Sequence, residues 1–291
     1  MPSPKFSVVV ATRNRVDSLR RTVQSLLAQS VEPSLVQILV VDDGSTDGTG
    51  AYLEEAARRG DLAFVRRRGP RGPAAARNAG AREARGIWIA FTDDDCVVPG
   101  DWLERALRAM EQGAAVAIGG AVRNVQPGLL SEVYQDQSNF LFETLNSAPD
   151  DPRFLTTNNF ICHRSEFAVL GGFDEKFRHG AEDRDLARRL VHRGLRVIVD
   201  PGLVVEHSHA FTLWSYLRHL AGQGRGSCRY FRLYGRTEPR PSPGALFERI
   251  RHAGRRPDRK WLRIAAAALG QAAVTLGYLR ALVFDRPRRR S

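Results

Sequence analysis

Three short apolar runs, each closing on polar or acidic residues, constrain this chain more than any other feature. Phe6-Ser7-Val8-Val9-Val10-Ala11 precedes Thr12. Val36 to Val41 precedes Asp42 and Asp43. Ile87-Trp88-Ile89-Ala90-Phe91 leads through Thr92 to Asp93, Asp94 and Asp95. β-Branched runs bounded by polar clusters read as buried strands. Val16 to Gln29 places Leu19, Val23, Leu26 and Leu27 at helical spacing. Thr49 to Arg59, capped by Thr46 or Asp47, and the alanine-rich Ala74 to Ala84 are further helices. Leu62 to Val65 is a short strand, and a helix at Trp102 to Glu111 leads to a strand at Ala115 to Gly119. This alternation predicts an α/β fold with a mostly parallel, Rossmann-like sheet and helices on both faces. Parallel strands end on one edge, so Thr12, Asp43 and Asp93 to Asp95 converge where open α/β sheets bind ligands.

Three adjacent acids repel one another in a low-dielectric cleft, which calls for a cation nearby. A divalent metal with oxygen ligands answers that need; a solvated acidic turn is the competing description. After Val125 the pattern weakens, and Gln126 to Arg153 mixes Pro, Gly, Asn and Asp with scattered aromatics. Phe154 to His163 reads as a strand and Gly171-Gly172-Phe173-Asp174 as a turn. Glu182 to Arg193 is a helix with Leu186 and Leu190 on one face and Glu182-Asp183 at its amino end, where acids also complement the helix dipole. Leu195 to Val199 is a strand, and Leu203-Val204-Val205 leads to Glu206-His207-Ser208-His209. Two residues apart in a strand, His207 and His209 would face one side.

The net charge of +12 is unevenly placed. Residues 1–224 hold 27 Lys and Arg against 28 Asp and Glu, a net of −1, whereas residues 225–291 hold 17 against 4, a net of +13. A neutral globular part argues against nucleic acid as the main substrate. Cys96, Cys162 and Cys228 are far apart and lack metal-ligand spacing, as expected of reduced thiols in a cytoplasmic protein. The apolar run in MPSPKFSVVVATRN is too short for a signal peptide. The tail is broken by Pro239, Pro241, Pro243 and Pro257. Its charge-free stretch, Ile264 to Leu279, has 16 residues, short of the ~20 that span a bilayer. With Arg263, Arg280 and the Arg286 to Arg290 cluster around it, that stretch reads as an interfacial segment, peripheral at an anionic inner membrane face. A helix packed on the catalytic part, or a dimer interface, is the alternative.

VVVATRNR, VVDDGSTDGT, RNAGAREARG, FTDDD, GGFDE, AEDRDLARRL and VEH stand in that order along the chain. Over about residues 5 to 224 this set resembles the inverting, nucleotide-sugar-dependent glycosyltransferases of family 2, which have the GT-A fold. The resemblance implies a nucleotide-sugar-binding half at 1–125 and an acceptor-binding, catalytic half at 126–224 of the same domain, with a helical basic extension at 225–291. It implies that Thr12 and Asp43 line the base pocket with Arg13 nearby. Arg77 would contact base or diphosphate, Asp93 would face the ribose, and Asp94 would complete the donor-binding acids. Asp95 would bind Mg²⁺ or Mn²⁺, with His207 completing the metal site. Asp183 would be the general base, with Glu182 orienting it or the acceptor. The donor expected is a UDP-linked sugar, and the acceptor a hydroxyl of a lipid-linked or cell-envelope glycan.

The chemistry is coherent without the name. A diphosphate leaving group gains charge as the glycosidic bond breaks, and a Lewis acid stabilises it without proton transfer. Asp oxygens suit Mg²⁺ or Mn²⁺, and one imidazole is tolerated more easily by Mn²⁺. The acceptor hydroxyl needs a carboxylate within hydrogen-bond reach. The Gln-x-x-Arg-Trp signature of processive synthases is absent; Gln223-Gly224-Arg225-Gly226 is the nearest piece and no Trp follows, so a single sugar per encounter is expected. A nucleotidyltransferase is a competing class, but the loop after the first strand, Thr12-Arg13-Asn14-Arg15, has no glycine for a triphosphate. A non-catalytic nucleotide-sugar-binding protein is the third possibility.

Overall fold

The computed structural model describes residues 4–148, 151–238 and 242–285. Pro239, Pro241 and the Arg286 to Arg290 cluster lie outside the described residues. Contacts divide the chain into two compact units. The first comprises residues 1–123, 145–175 and 183–208; the second comprises 124–144, 176–182 and 209–291.

The first unit is built on an eight-stranded mixed sheet. Its strands are β1 (Phe6–Thr12), β2 (Val36–Asp42), β3 (Ala63–Arg66), β4 (Trp88–Asp93), β5 (Cys96–Val97), β6 (Ala117–Asn124), β7 (Phe160–His163) and β8 (Val197–His207), in the spatial order β3-β2-β1-β4-β7-β6-β8-β5. β1 pairs in parallel with β2 and β4, and β2 with β3. Beyond β4 the pairings change sense. β7 runs antiparallel to both β4 and β6, and β5 antiparallel to β8. The parallel arrangement expected from the amino-terminal alternation therefore holds over β3-β2-β1-β4, where helices cross over between the strands.

Side-chain alternation explains why both faces of the sheet are dry. Val8 and Val10, Ile38 and Val40, and Ala90 point into one core. That core is closed by α1 (Val16–Leu27), α2 (Thr49–Arg58) and α4 (Trp102–Gly113) through Leu19, Val23, Leu53, Trp102 and Met110. Val9, Leu39, Ile89 and Phe91 point into the other. There α3 (Pro73–Glu83), α6 (Arg164–Val169) and α7 (Glu182–His192) contribute Ala74, Phe167, Leu186 and Leu190. Gly80 of α3 lies so close to the sheet that a Cβ there would meet Val9 at 2.5 Å. The expected strand at Leu195–Val199 starts at Val197 and continues through Pro201, Gly202 and Leu203–Val205 to His207 as one strand, β8. The expected Phe154–His163 strand is formed only at Phe160–His163, after a 3-10 turn at Thr157–Asn159.

The second unit is helical. The weakly patterned stretch after Val125 contains α5 (Leu129–Leu145). The rest of the unit carries α8 (Leu213–Tyr234), α9 (Pro243–Ala253) and α10 (Lys260–Phe284). α8 and α10 meet backbone to backbone. A Cβ at Gly277 would lie 2.0 Å from the Ala221 carbonyl oxygen, and one at Gly224 the same distance from that of Val274. Small residues at such crossings let two helices approach closely. α10 has 25 residues, against the 16 of the charge-free stretch, because Arg263 continues the helix instead of ending it. Its guanidinium is fully buried, with Nη1 donating to Glu132 at 2.6 Å and Nη2 to Asp136 at 2.5 Å. By length and composition α10 could cross a membrane, which corrects the reading that this segment is too short to do so.

Candidate active site

The site assembles at the carboxyl edge of the parallel strands. Thr12, the last residue of β1, is 3% exposed and donates its hydroxyl to Asp94 at 2.8 Å. The loop after it turns at Asn14, whose φ is 54°. The Asn14 side-chain oxygen accepts from Thr46 N at 2.7 Å, and its own N–H donates to Ser45 at 2.9 Å. That double tie fixes the loop after β1 to the loop after β2 and sets Arg15 at the head of α1. Arg15 Nη1 then reaches Asp95 at 2.6 Å and Asp94 at 3.2 Å.

Asp95 is also met from the other side. β5 follows it directly and pairs antiparallel with β8 so that Cys96 stands opposite His207. Ser208 N donates to the Asp95 carbonyl at 2.8 Å. This register sets His207 Nε2 3.0 Å from Asp95 Oδ1. β8 ends at His207. The His209 ring stacks on Phe211 at 4.1 Å between centroids.

Burial and mutual repulsion set the electrostatics of the acids. Asp94 and Asp95 are 5% and 8% exposed. Burial pushes the Asp94 carboxyl up to about 6; Arg15 and Thr12 oppose the rise, while Asp95 and Asp93 add to it. Burial alone would lower the His207 imidazole, but Asp95 and Asp93 hold it above its usual value. Asp93 is partnered separately, by Arg77 Nη2 at 2.6 Å. Arg77 is buried at the start of α3.

Asp43 does different local work. Its carboxylate accepts from Gly72 N at 2.9 Å and from Arg71 N at 3.1 Å, with Arg67 Nη1 3.0 Å away. It thus pins the loop that opens α3 beside the edge of β2. Asp42 holds its own turn by accepting from Ser45 N at 2.8 Å. Arg13 is exposed. Asp183 stands in the first turn of α7, half-buried, and its Oδ1 accepts from Arg184 N at 2.8 Å. Glu182 beside it is buried. The sharp entry into α7 is made by Gly180 at φ 99° and Ala181 at φ 74°.

Thr12, Asp94, Asp95 and His207 are therefore brought together, with the Asp93–Arg77 pair on the same strand end. Arg13, Asp43, Asp183 and Glu182 have surroundings of their own. Sequence reasoning missed Arg15, whose signal was its place three residues after the strand end. It also missed Asn78 and Arg189. Asn78 Nδ2 donates to Phe173 O and Phe173 N donates to Asn78 Oδ1, each at 2.9 Å, which joins the RNAG and GGFDE motifs. Arg189 binds the carbonyls of Leu170 and Gly172 at 2.8 and 2.7 Å, holding the turn at Gly171 and Gly172 in its left-handed conformation.

A mixed sheet of this order, with acids at the parallel strand ends and helices on both faces, defines a GT-A fold. The profile of glycosyl transferase family 2 matches residues 7–171, and the chain belongs to that family. It is 30% identical over 236 residues to the pre-mycofactocin glycosyltransferase of Mycobacterium tuberculosis, covering 75% of this chain and 46% of that protein. It is 42% identical over 118 residues to the succinoglycan biosynthesis protein ExoO of Rhizobium meliloti, covering 40% and 32%. The chain thus spans less than half the length of these relatives. Among solved structures, the mannosyltransferase PcManGT of Pyrobaculum calidifontis, in complex with GDP-Man and Mn²⁺, superposes with a TM-score of 0.72. It is 19% identical, covering 99% of this chain and 89% of that one. S. aureus TarS in complex with UDP-GlcNAc gives 0.56 at 17% identity, covering 94% and 90%.

Proposed function

We propose that the chain transfers one sugar, with inversion, from a nucleoside diphosphate donor to a hydroxyl of a lipid-linked or cell-envelope glycan. One observation carries the reading: the Asp95 carboxylate, buried at the end of β4, is approached by a guanidinium at 2.6 Å and an imidazole at 3.0 Å. A carboxylate oxygen and a neutral imidazole nitrogen this close are a donor set that suits Mn²⁺ or Mg²⁺. Burial of the Asp94 carboxyl, with Asp95 and Asp93 beside it, disfavours its charged form, and a cation at the cluster would relieve that cost. Asp95 and His207 would hold the ion. Bound there, it would act as a Lewis acid on the departing diphosphate.

The chain's own residues do the rest. Thr12 and Arg15 fix the carboxylates of Asp94 and Asp95 in one orientation, so their positions need no rearrangement when the donor arrives. Arg77 holds Asp93 toward the ribose side of the donor, and Asp43 shapes the base pocket by pinning the loop at Arg71 and Gly72. Asp183 takes the proton of the acceptor hydroxyl as that oxygen attacks the anomeric carbon from the face opposite the diphosphate. Glu182, buried beside it, orients the base. UDP is the expected carrier; TarS is bound to UDP-GlcNAc and PcManGT to GDP-Man.

The work is done at the inner face of a membrane. The outward residues of α10 from Trp261 to Leu279, among them Leu262, Leu269 and Leu276, carry no charge. One side of that helix is packed on α8, so it lies along the interface. The transfer reading is tested by Asp183→Asn in the full chain, assayed against a panel of nucleotide sugars with Mn²⁺. The variant is expected to bind donor as the wild type does and to lose transfer by at least about a hundredfold. Full activity in that variant would remove the assigned base.

A further inference from the structure

The second unit contains a cavity of about 530 Å³ that the donor chemistry does not use. It is lined by His179, Arg225, Arg280, Phe284 and Asp285. The volume is in the range of small-molecule sites. Two arginines and one aspartate line it, a net of +1 before His179 is considered. Neither arginine is neutralised in place, for among the described residues neither Arg225 nor Arg280 has an ion-pair partner. The Arg225 Nε is buried without a hydrogen-bond partner among those residues. Such a donor costs free energy unless a ligand takes it. Burial first, and then Arg225, hold the His179 imidazole below its usual value, leaving it a neutral ring with one N–H to offer.

A second observation gives the ligand a body. The exposed side of α10 runs through Leu262, Leu269, Leu276 and Leu279 without a charge, and Arg280 is the first charged residue on it. The apolar track therefore ends at the arginine that lines the cavity, with Phe284, 76% exposed, one turn further on. Guanidinium forks match phosphate oxygens with two parallel N–H donors, and basic pockets at the ends of apolar helices suit phosphate headgroups. We propose that this cavity binds a phosphate or diphosphate monoester through Arg225 and Arg280, its organic chain lying along the outer face of α10. Asp285 sets the selectivity. Its carboxylate opposes the anion, while Arg232 occupies its main-chain oxygen and those of Ala281 and Leu282. A ligand must therefore bring enough negative charge to outweigh it.

The test is calorimetric titration of the full chain with decyl phosphate and, separately, with inorganic pyrophosphate. Arg280→Gln and Arg225→Gln are each expected to weaken decyl phosphate by about tenfold or more. Asp285→Asn is expected to tighten it. Tighter binding of decyl phosphate than of pyrophosphate would identify an amphiphile as the source of the phosphate, and equal binding a free phosphate compound. Arg280 is exposed, so its replacement leaves the fold intact even if Arg225→Gln does not. Unchanged affinity in Arg280→Gln, or weaker binding in Asp285→Asn, would overturn the assignment. None of these residues belongs to the donor site, so failure here leaves the transferase reading standing, and the reverse also holds.

Discussion

Arg15→Met removes the only guanidinium that bridges Asp94 and Asp95 among the contacts described. Breaking a fully buried ion pair costs about 3–5 kcal/mol, because the remaining charge is stranded. Exposed pairs contribute only about 0.2–1 kcal/mol. Here the carboxylate side chains are 7% and 9% exposed but that of Arg15 is 48% exposed, so the cost falls between the two, at about 1–2 kcal/mol. At about 2–4 °C per kcal/mol for a unit of this size, the variant should melt about 2–8 °C lower in the presence of a chelator. Divalent metal should reverse the loss. A ligand at about one hundred times its Kd adds about 2.7 kcal/mol, and in the variant Arg15 no longer competes for Asp95. The Mn²⁺-induced rise in Tm should therefore be larger in Arg15→Met than in the wild type. Thermal melts of both proteins, with chelator and with saturating Mn²⁺, read this directly. Equal stability in chelator, or a smaller metal response in the variant, would refute the claim that Arg15 compensates the acids at which a metal would bind.

Arg263→Met should destabilise the helical unit by about 3 kcal/mol, since Asp136 is left buried with only the exposed Arg256 3.3 Å away. Replacing Glu132 by Gln and Asp136 by Asn in the same chain should recover most of that in urea titrations. The Arg263 hydrogen bond holds Glu132 below the usual carboxylate range. Its contribution is therefore present above the unfolded pKa and lost as pH falls through the folded one, so Glu132→Gln should flatten the acid limb of the stability profile. Replacing Leu262, Leu269 and Leu276 together by Glu should abolish sedimentation with anionic liposomes while leaving the melting of the sheet unit unchanged; undiminished sedimentation would remove the interfacial reading of α10.

The parts of this molecule that were legible in the sequence are those in which one local period dominates. β1, β2 and β4 are β-branched runs flanked by polar punctuation, and they appear where the pattern placed them. Their strand-end residues meet because parallel pairing forces them to. The antiparallel half was less legible. β7 is four residues long, and β8 passes through Pro201 and Gly202, which read as an interruption. α10 was underestimated because a charge was taken as a boundary. Arg263 is inside the helix, and only the distant Glu132 and Asp136, on α5, make that tolerable. Arg15 was missed for a related reason. A lone arginine in a polar loop looks like solvent-facing charge until the Asn14 turn and its ties to Ser45 and Thr46 direct it at the acids.

Direct titration of the full chain with Mn²⁺, in the presence of a donor nucleotide and followed by the loss of free-ion electron paramagnetic resonance signal, tests the central claim. One site is predicted, weakened by at least about tenfold in Asp95→Ala and in His207→Ala. Wild-type affinity in both variants would contradict it.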